Sequence, residues 1–239
     1  MSATTLRDRT VLVVGRGSGI ARATTLAVRA AGANVVVASR DAAALDAAYD
    51  DPGIVAESVD LTDESSVEAL AERLGHVDHV VSTASARARG TVDALKPDVV
   101  IASLNTKVVG PILLAKHFAK RMPQDGSFVL FSGATADKPT VGMLAVAATN
   151  GAVDAVARSL SVELAPIRVN AISPGTIDTG AYDALGDQKK SELYEQRRTH
   201  VPAHRVGTSD DVADAVVFAL TNTFLTGVSL GVDGGERLV

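Results

Sequence analysis

The chain has no cysteine and no tryptophan, and aromatic residues make up only 3% of its 239 residues. The absence of cysteine excludes disulfides and thiolate metal centres. So few aromatic side chains leave no stacking platform that would single out a ligand class. Positive charge is also scarce: 23 Lys and Arg against 28 Asp and Glu give a formal net charge of -5 without any basic run. That balance argues against nucleic acid as a partner, because neutralising phosphates takes clustered cations. The histidines, His76, His79, His117, His200 and His204, lack companion carboxylates at ligand spacing, so no metal site is expected. Met1 to Thr10 carries charge but no apolar core of signal-peptide length. No later apolar run is expected to span a membrane, so a cytoplasmic chain with no membrane partner is predicted.

Short apolar runs are plentiful. Val11 to Val14, Val35 to Ala38, Val55 to Val59, Val77 to Val81, Phe128 to Phe131 and Val169 to Ile172 read as buried strands, with helix-periodic segments between them. Such alternation predicts an α/β fold with a doubly wound parallel sheet flanked by helices. No linker-like composition break divides the chain, so a single domain over residues 1–239 is expected. Ligands of such sheets sit at the carboxyl ends of the strands.

The first strand runs into Gly15-Arg16-Gly17-Ser18-Gly19-Ile20-Ala21, which opens a helical pattern. A G-x-G-x-x-G fingerprint would need a third glycine at Ile20; the segment matches G-x-x-x-G-x-A instead. The first amides of a helix have no intrahelical partner, and glycines let the backbone approach a pyrophosphate. Gly15, Arg16, Ser18, Gly19 and Ile20 are therefore candidate phosphate contacts. The ordinary alternative is a strand-helix turn that binds nothing. The second strand ends on Ser39-Arg40, where an acidic residue would favour a free ribose 2′-hydroxyl. A hydroxyl and a guanidinium suit a 2′-phosphate, which points to NADP(H), with Arg16 as a second cation. A solvated arginine at a helix start is the alternative for Arg40. Asp60, beyond the third strand, is placed to accept the adenine amino group, while Thr62 and Asp63 are available to cap the next helix.

The glycine turn, Asp60, Ser82-Thr83-Ala84-Ser85, Arg168-Val169-Asn170-Ala171-Ile172-Ser173-Pro174-Gly175 and Val232-Asp233-Gly234-Gly235 together resemble the short-chain dehydrogenase/reductase family over essentially the whole chain. The resemblance implies a Rossmann-type seven-stranded sheet, a nicotinamide cofactor and commonly a tetramer. It sets Asp60 and Leu61 near the adenine, Ser82 and Ala84 on the ribose side, Pro174, Gly175 and Ile177 by the nicotinamide, and Thr179 facing the pyrophosphate. Ser82-Thr83-Ala84-Ser85 departs from the family's Asn-Asn-Ala-Gly, which weakens the expected support of the central strand.

A larger departure concerns the chemistry. The positions of the family's catalytic serine, tyrosine and lysine fall on Gly133, Val146 and Asn150. The chain's tyrosines, Tyr49, Tyr182 and Tyr194, lie outside the helix of residues 143–164. Aligning Gly110 puts the family's helix asparagine at Lys107 rather than Asn105. Lys107 is thus the candidate to stabilise an alkoxide or give a proton, with Ser132 and Asn150 as orienting groups and Asn150 also touching the cofactor ribose. A lysine snorkelling to solvent, and polar groups satisfied by backbone, are the alternatives. Three functions stay open: an NADP(H)-dependent oxidoreductase acting on a carbonyl or imine, or on the alcohol or amine; an inactive NADP-binding sensor; and a non-redox enzyme on the same scaffold. Small residues Ala147, Ala148, Gly151, Ala152 and Ala155 let another helix pack closely, and the resemblance implies that this helix meets its twin in a second copy, hence a homo-oligomer. The polar stretch 179–208 resembles the family's lid over a small-molecule substrate.

Overall fold

β-Branched and other apolar side chains crowd the strands because both faces of a parallel sheet are covered by helices. The computed structural model describes residues 5–239. Its main sheet is built from β1 (Thr10–Val14), β2 (Asn34–Ser39), β3 (Ile54–Ser58), β4 (His79–Ser82), β5 (Ser127–Phe131), β6 (Arg168–Pro174) and, late in the chain, Ser229–Val232. Between β6 and that last strand come β7 (Ile177–Asp178) and β8 (Gly207–Thr208), which pair separately, so the last strand is β9. The order of the seven-stranded sheet is β3-β2-β1-β4-β5-β6-β9, with every pairing parallel. The expected doubly wound architecture is present.

Alternate residues of each strand serve opposite layers. Leu12, Val14, Val80, Phe128, Leu130 and Val169 pack with Leu114 and Phe118 on one side. Val11, Val13, Val35, Val81, Val129 and Ile172 pack with Val212 and Val216 on the other. The helices are α1 (Gly19–Ala30), α2 (Ala42–Asp46), α3 (Glu64–Leu74), α4 (Pro97–Leu104), α5 (Gly110–Phe118), α6 (Leu144–Glu163), α7 (Asp187–His200) and α8 (Ser209–Thr221). Asp63 caps α3 by accepting from the Ser65 amide, and Thr208 and Asp211 close a capping box on α8.

Differences from the sequence reading have local causes. β9 was not among the apolar runs because it contains Ser229 and Gly231 and is only half-buried at the sheet edge. β3 and β4 are each shifted by a residue or two, since Val59 and Val77 are buried just outside the ladders. The expectation that no apolar run approaches a membrane span also needs correction. Residues Pro97–Arg121 form one helical stretch long and apolar enough to cross a membrane by length and composition. In the fold it is a core-packed helix: Gly110, Leu114 and Phe118 are buried on one side, while Ile101 and Ile112 stand exposed on another.

α4 and α5 are joined by a π-helical turn, Asn105–Val109, in which the Gly110 amide donates to Asn105 O. Pro111 accounts for it. Without an N–H it cannot bond the Lys107 carbonyl four residues back, and its ring pushes that carbonyl away, so the helix widens. The widened turn carries Lys107.

Candidate functional site

β1 lies between β2 and β4, so the connections after β1 and after β3 leave in opposite directions. The crevice at the carboxyl ends of β1 and β4 is the topological switch point. The glycine turn occupies it. A Cβ at Gly15 would lie 2.0 Å from Thr83 Oγ1, and Gly19 has φ +54 with Thr179 against it, where a Cβ would be 3.2 Å from Thr179 Cβ. Both positions need glycine, one for close approach and one for its left-handed backbone. Ser18 is the N-cap of α1 but makes no side-chain cap bond, and the first turn carries no acidic residue. The helix's leading amides and dipole are thus presented towards an anion. Ile20 is half-buried behind them.

Ser82 and Ala84 follow on the other wall. The expected loss of support for the central strand does not occur: the Thr83 amide and hydroxyl both donate to Val14 O, at 2.9 and 3.1 Å. At the carboxyl ends of β1 and β2 Arg16 and Arg40 are exposed, and neither makes an ion pair among the described residues. The Ser39 hydroxyl is engaged with the backbone of Asp41, so Arg40 is the group left free there. Asp60 Oδ1 accepts from the Thr62 amide at 2.9 Å and hydroxyl at 2.7 Å. These bonds, with a smaller contribution from Arg40, hold the Asp60 carboxyl below its usual range. Leu61 is buried beneath it.

At the ends of β5 and β6 the structure brings Lys107, Ser132 and Asn150 into contact. Lys107 is only 7% exposed. Its ammonium donates to Ser132 O at 3.1 Å and to Asn150 Oδ1. Asn150 is in turn fixed by donating Nδ2 to Thr135 Oγ1 at 2.7 Å and Gly133 O at 3.3 Å. The Ser132 hydroxyl donates to the Asn150 carbonyl at 3.0 Å, tying strand end to helix. Two of the three ammonium donors are used, which leaves one. Burial, and after it the Arg87 guanidinium, push the Lys107 pKa from 10.5 down to about 8, with Asp154 opposing.

Position 133 faces the same cluster, since a Cβ there would lie 2.7 Å from Asn150 Nδ2. Val146 is buried one turn before Asn150 on α6. The tyrosines are elsewhere. Tyr49 is half-buried beside α1 and α2, while Tyr182 and Tyr194 pack edge to face in the 179–208 segment with ring centroids 6.1 Å apart. Tyr194 donates to Asp178 Oδ1 at 2.9 Å, and burial followed by that carboxylate raises its pKa.

Beyond β6, Pro174 and Gly175 lead into Thr176, Ile177 and Thr179, with Thr179 closing on Gly19. Sequence reasoning missed several groups here. Arg87 and Asp154 act on Lys107 from a loop and from the next turn of α6. Thr135 orients Asn150, and Glu236 accepts from the Thr176 amide at 2.7 Å. Only Asp154, four residues after Asn150, had a sequence signal. Among the described residues no group of His, Asp or Glu is arranged to hold a metal.

A family profile described as Enoyl-(Acyl carrier protein) reductase matches residues 14–236. A short-chain dehydrogenase/reductase of Acremonium sp is 30% identical, the match covering 98% of this chain and 97% of that protein. The 3-oxoacyl-[acyl-carrier-protein] reductase of Homo sapiens is 31% identical over 97% of this chain and 99% of its own. A solved small-chain dehydrogenase in complex with NADPH superposes with a TM-score of 0.84 at 32% identity, covering 97% of this chain and 99% of the other.

Proposed function

The chain belongs to the short-chain dehydrogenase/reductase family, and from that membership we propose that it is an NADPH-dependent reductase of a carbonyl or imine in which Lys107 stands in for the family's tyrosine. The observation that carries this reading is a buried ammonium, held by Ser132 O and Asn150 Oδ1, with one donor to spare. The glycine turn fits a dinucleotide: a Cβ at Gly15 would clash with Thr83 Oγ1, Gly19 takes a left-handed backbone, and the helix amides behind Ser18 have no side-chain cap. Gly15, Arg16, Ser18, Gly19, Ile20 and Thr179 would hold the pyrophosphate, and Arg40 the 2′-phosphate, with the Ser39 hydroxyl joining it on turning away from Asp41 O. Asp60 and Leu61 would meet the adenine, Ser82, Ala84 and Asn150 the riboses, and Pro174, Gly175 and Ile177 the nicotinamide. When bound, the nicotinamide supplies the hydride.

The protein's task is then to place the acceptor and to meet the charge that develops on its oxygen or nitrogen. Lys107 Nζ does so with its remaining N–H, first as a hydrogen-bond donor and then as the proton source. Asn150 aims the ammonium, and Thr135 and Gly133 O hold Asn150. Arg87 adds positive potential over the same cleft and eases proton release. In the opposite direction the neutral amine would accept the proton from an alcohol or amine.

The pH dependence has a definite sign. A depressed pKa means that the proton is lost where an ordinary lysine keeps it, so reduction is fastest below about pH 8. Above that value kcat/KM should fall about tenfold per pH unit with a single break. Initial rates between pH 6 and 10, on the order of half-unit steps, check this. A flat profile would remove Lys107 from proton transfer.

A second reading, an NADP-binding sensor without turnover, is favoured by Gly133 and Val146 standing where serine and tyrosine act in the family. NADPH oxidation across a panel of ketones, aldehydes, imines and enones separates the two. Turnover supports the reductase, and tight binding without oxidation of any panel member supports the sensor. Conversion of a substrate with no change in NADPH would point to the non-redox alternative.

We also propose a homo-oligomer. Ile101, Leu104, Val109 and Ile112 form an exposed apolar ridge on the 97–118 helices, and Leu144 and Val162 are exposed on α6 beside the small residues Ala148 and Ala155. Light scattering is expected to give a dimer or tetramer. A monomer at micromolar concentration overturns this.

A further inference from the structure

The segment that resembles a lid is weakly anchored by apolar packing. Within the 14 residues of α7 only Tyr194 is buried. A cavity of about 320 Å³ separates α7 from the turn after β9, lined among others by Ile177, Val201, Asp233 and Gly235. Its charged walls are already paired, Arg205 with Asp211 and Arg197 with Glu236, so it offers no unsatisfied group to a ligand.

What crosses the gap is Glu236, on a short turn that follows the left-handed Gly234 and Gly235. Its buried carboxylate accepts two hydrogen bonds from Thr176 and pairs with a guanidinium of α7. Oε2 accepts from the Thr176 amide at 2.7 Å, Oε1 from the Thr176 hydroxyl at 3.1 Å, and Arg197 Nε of α7 lies 3.0 Å from Oε1. Arg197 Nε also donates to Thr176 Oγ1 at 3.0 Å. The Glu236 carbonyl accepts from Lys138 Nζ at 3.1 Å, which brings in the loop after β5. Gly175 is packed against this carboxylate, since a Cβ there would lie 2.7 Å from Oε2.

We propose that Glu236 is a positioning residue, a latch through which the C-terminal turn holds α7 down on residues 174–179 and so sets the wall that the nicotinamide half of the cofactor meets. The latch rests on the cofactor reading above, because it takes that loop to face the nicotinamide. Its physical basis is that the Arg197–Glu236 pair ties the body of α7, where only Tyr194 is buried, to the C-terminal turn, alongside the Tyr194 bond to Asp178 and the Ala203 amide that donates to Gly234 O just beyond the helix. Losing Arg197 frees α7 from Glu236, and losing Glu236 also leaves the Thr176 N–H without its acceptor. Elements that open around ligands are drawn from such weakly packed parts of a fold.

The test compares NADPH with 2′-phospho-ADP-ribose, which has the phosphates and adenine but no nicotinamide. Binding is measured by calorimetry, with hydrogen exchange over residues 187–200 in the free protein. For Glu236→Gln and Arg197→Met, NADPH should bind about tenfold more weakly, the scale of one charge-assisted hydrogen bond. The fragment should bind unchanged, exchange in α7 should rise, and Arg197→Lys should recover part of the loss. The double variant should be no weaker than Glu236→Gln alone. Equal weakening of both ligands would make Glu236 a general structural anchor and overturn the latch, as would unchanged NADPH affinity in both variants. If Glu236→Gln fails to fold, Arg197→Met, at a half-buried position of a mostly exposed helix, decides alone. Should the unmodified chain bind the fragment but not NADPH, the nicotinamide wall and the latch both fall. Should it bind neither, the whole cofactor seat is refuted.

Discussion

Lys107→Met should lower kcat for carbonyl reduction by about 10²- to 10⁴-fold, the range over which a positioned proton donor contributes, and leave NADPH affinity within about a factor of two. Methionine keeps the length and apolar stem of lysine, so the helix packing around the π turn survives. What disappears is the N–H that we propose meets the substrate, together with the donor to Asn150 Oδ1. The orphaned amide oxygen has some cost of its own, so the pH profile is the sharper readout. The break near pH 8 should vanish, and the residual rate should be flat with pH. Initial rates and fluorescence titration of NADPH measure both effects. An unchanged kcat, or a break that persists in the variant, would transfer the proton to another group. Lys107→Arg is not expected to restore activity, because a guanidinium stays protonated at every pH of interest.

Arg40→Ala should weaken NADPH binding by about 10- to 100-fold, the loss of one or two charge-assisted bonds to the 2′-phosphate, and leave NADH affinity almost unchanged. Arg40 is exposed and free of ion pairs among the described residues, so no rearrangement is needed for it to meet a phosphate. The same exposure means that salt screens it, and the difference between NADPH and NADH should shrink as ionic strength rises. Titrations of both cofactors at low and high salt provide the measurement. Equal losses for NADPH and NADH, or an unmodified protein that prefers NADH, would overturn the phosphate assignment. Arg16 offers a second cation on the same side. Its removal alone should cost less, because Arg40 remains at the end of β2 to meet the phosphate.

Sequence was most informative where chemistry is local. The run Val11 to Val14 followed by Gly15 and Gly19 announces a strand, a glycine turn and a helix start within a dozen residues, and the structure contains all three. β5 and β6 were legible for the same reason, being continuous apolar runs buried on both faces. β9 was not, because a short edge strand with serine and glycine has no such signature. The support that Thr83 gives to Val14 was also hidden. A hydroxyl can replace an amide in that bond only because β1 and β4 are neighbours, which is a fact of sheet order.

The candidate site divides along the same line. Lys107 and Asn150 are legible from alignment with the family's motifs and Ser132 as the nearest hydroxyl at the end of β5, yet their mutual contact spans 25 and 43 residues of chain. No periodicity reports such a distance. The widening at Asn105–Val109 that presents Lys107 was implicit in Pro111, a helix-interior proline, but its outcome depended on α5 packing closely enough that a Cβ at Gly110 would meet Leu61 at 2.8 Å. Glu236 had no signal at all, lying 60 residues from the Thr176 amide it satisfies.

By itself, then, the sequence determined the layered α/β fold, the dinucleotide-type glycine turn, the cation at the end of β2 and the absence of a tyrosine from α6. These follow from turn stereochemistry, hydrophobic spacing and residue identity, each decided within a few positions. Only the tertiary structure decided that Lys107 is buried against Ser132 O and Asn150 Oδ1, and that Glu236 bonds Thr176 while pairing with Arg197 of α7. Burial, desolvation and hydrogen-bond partnership depend on what the distant chain brings alongside a residue.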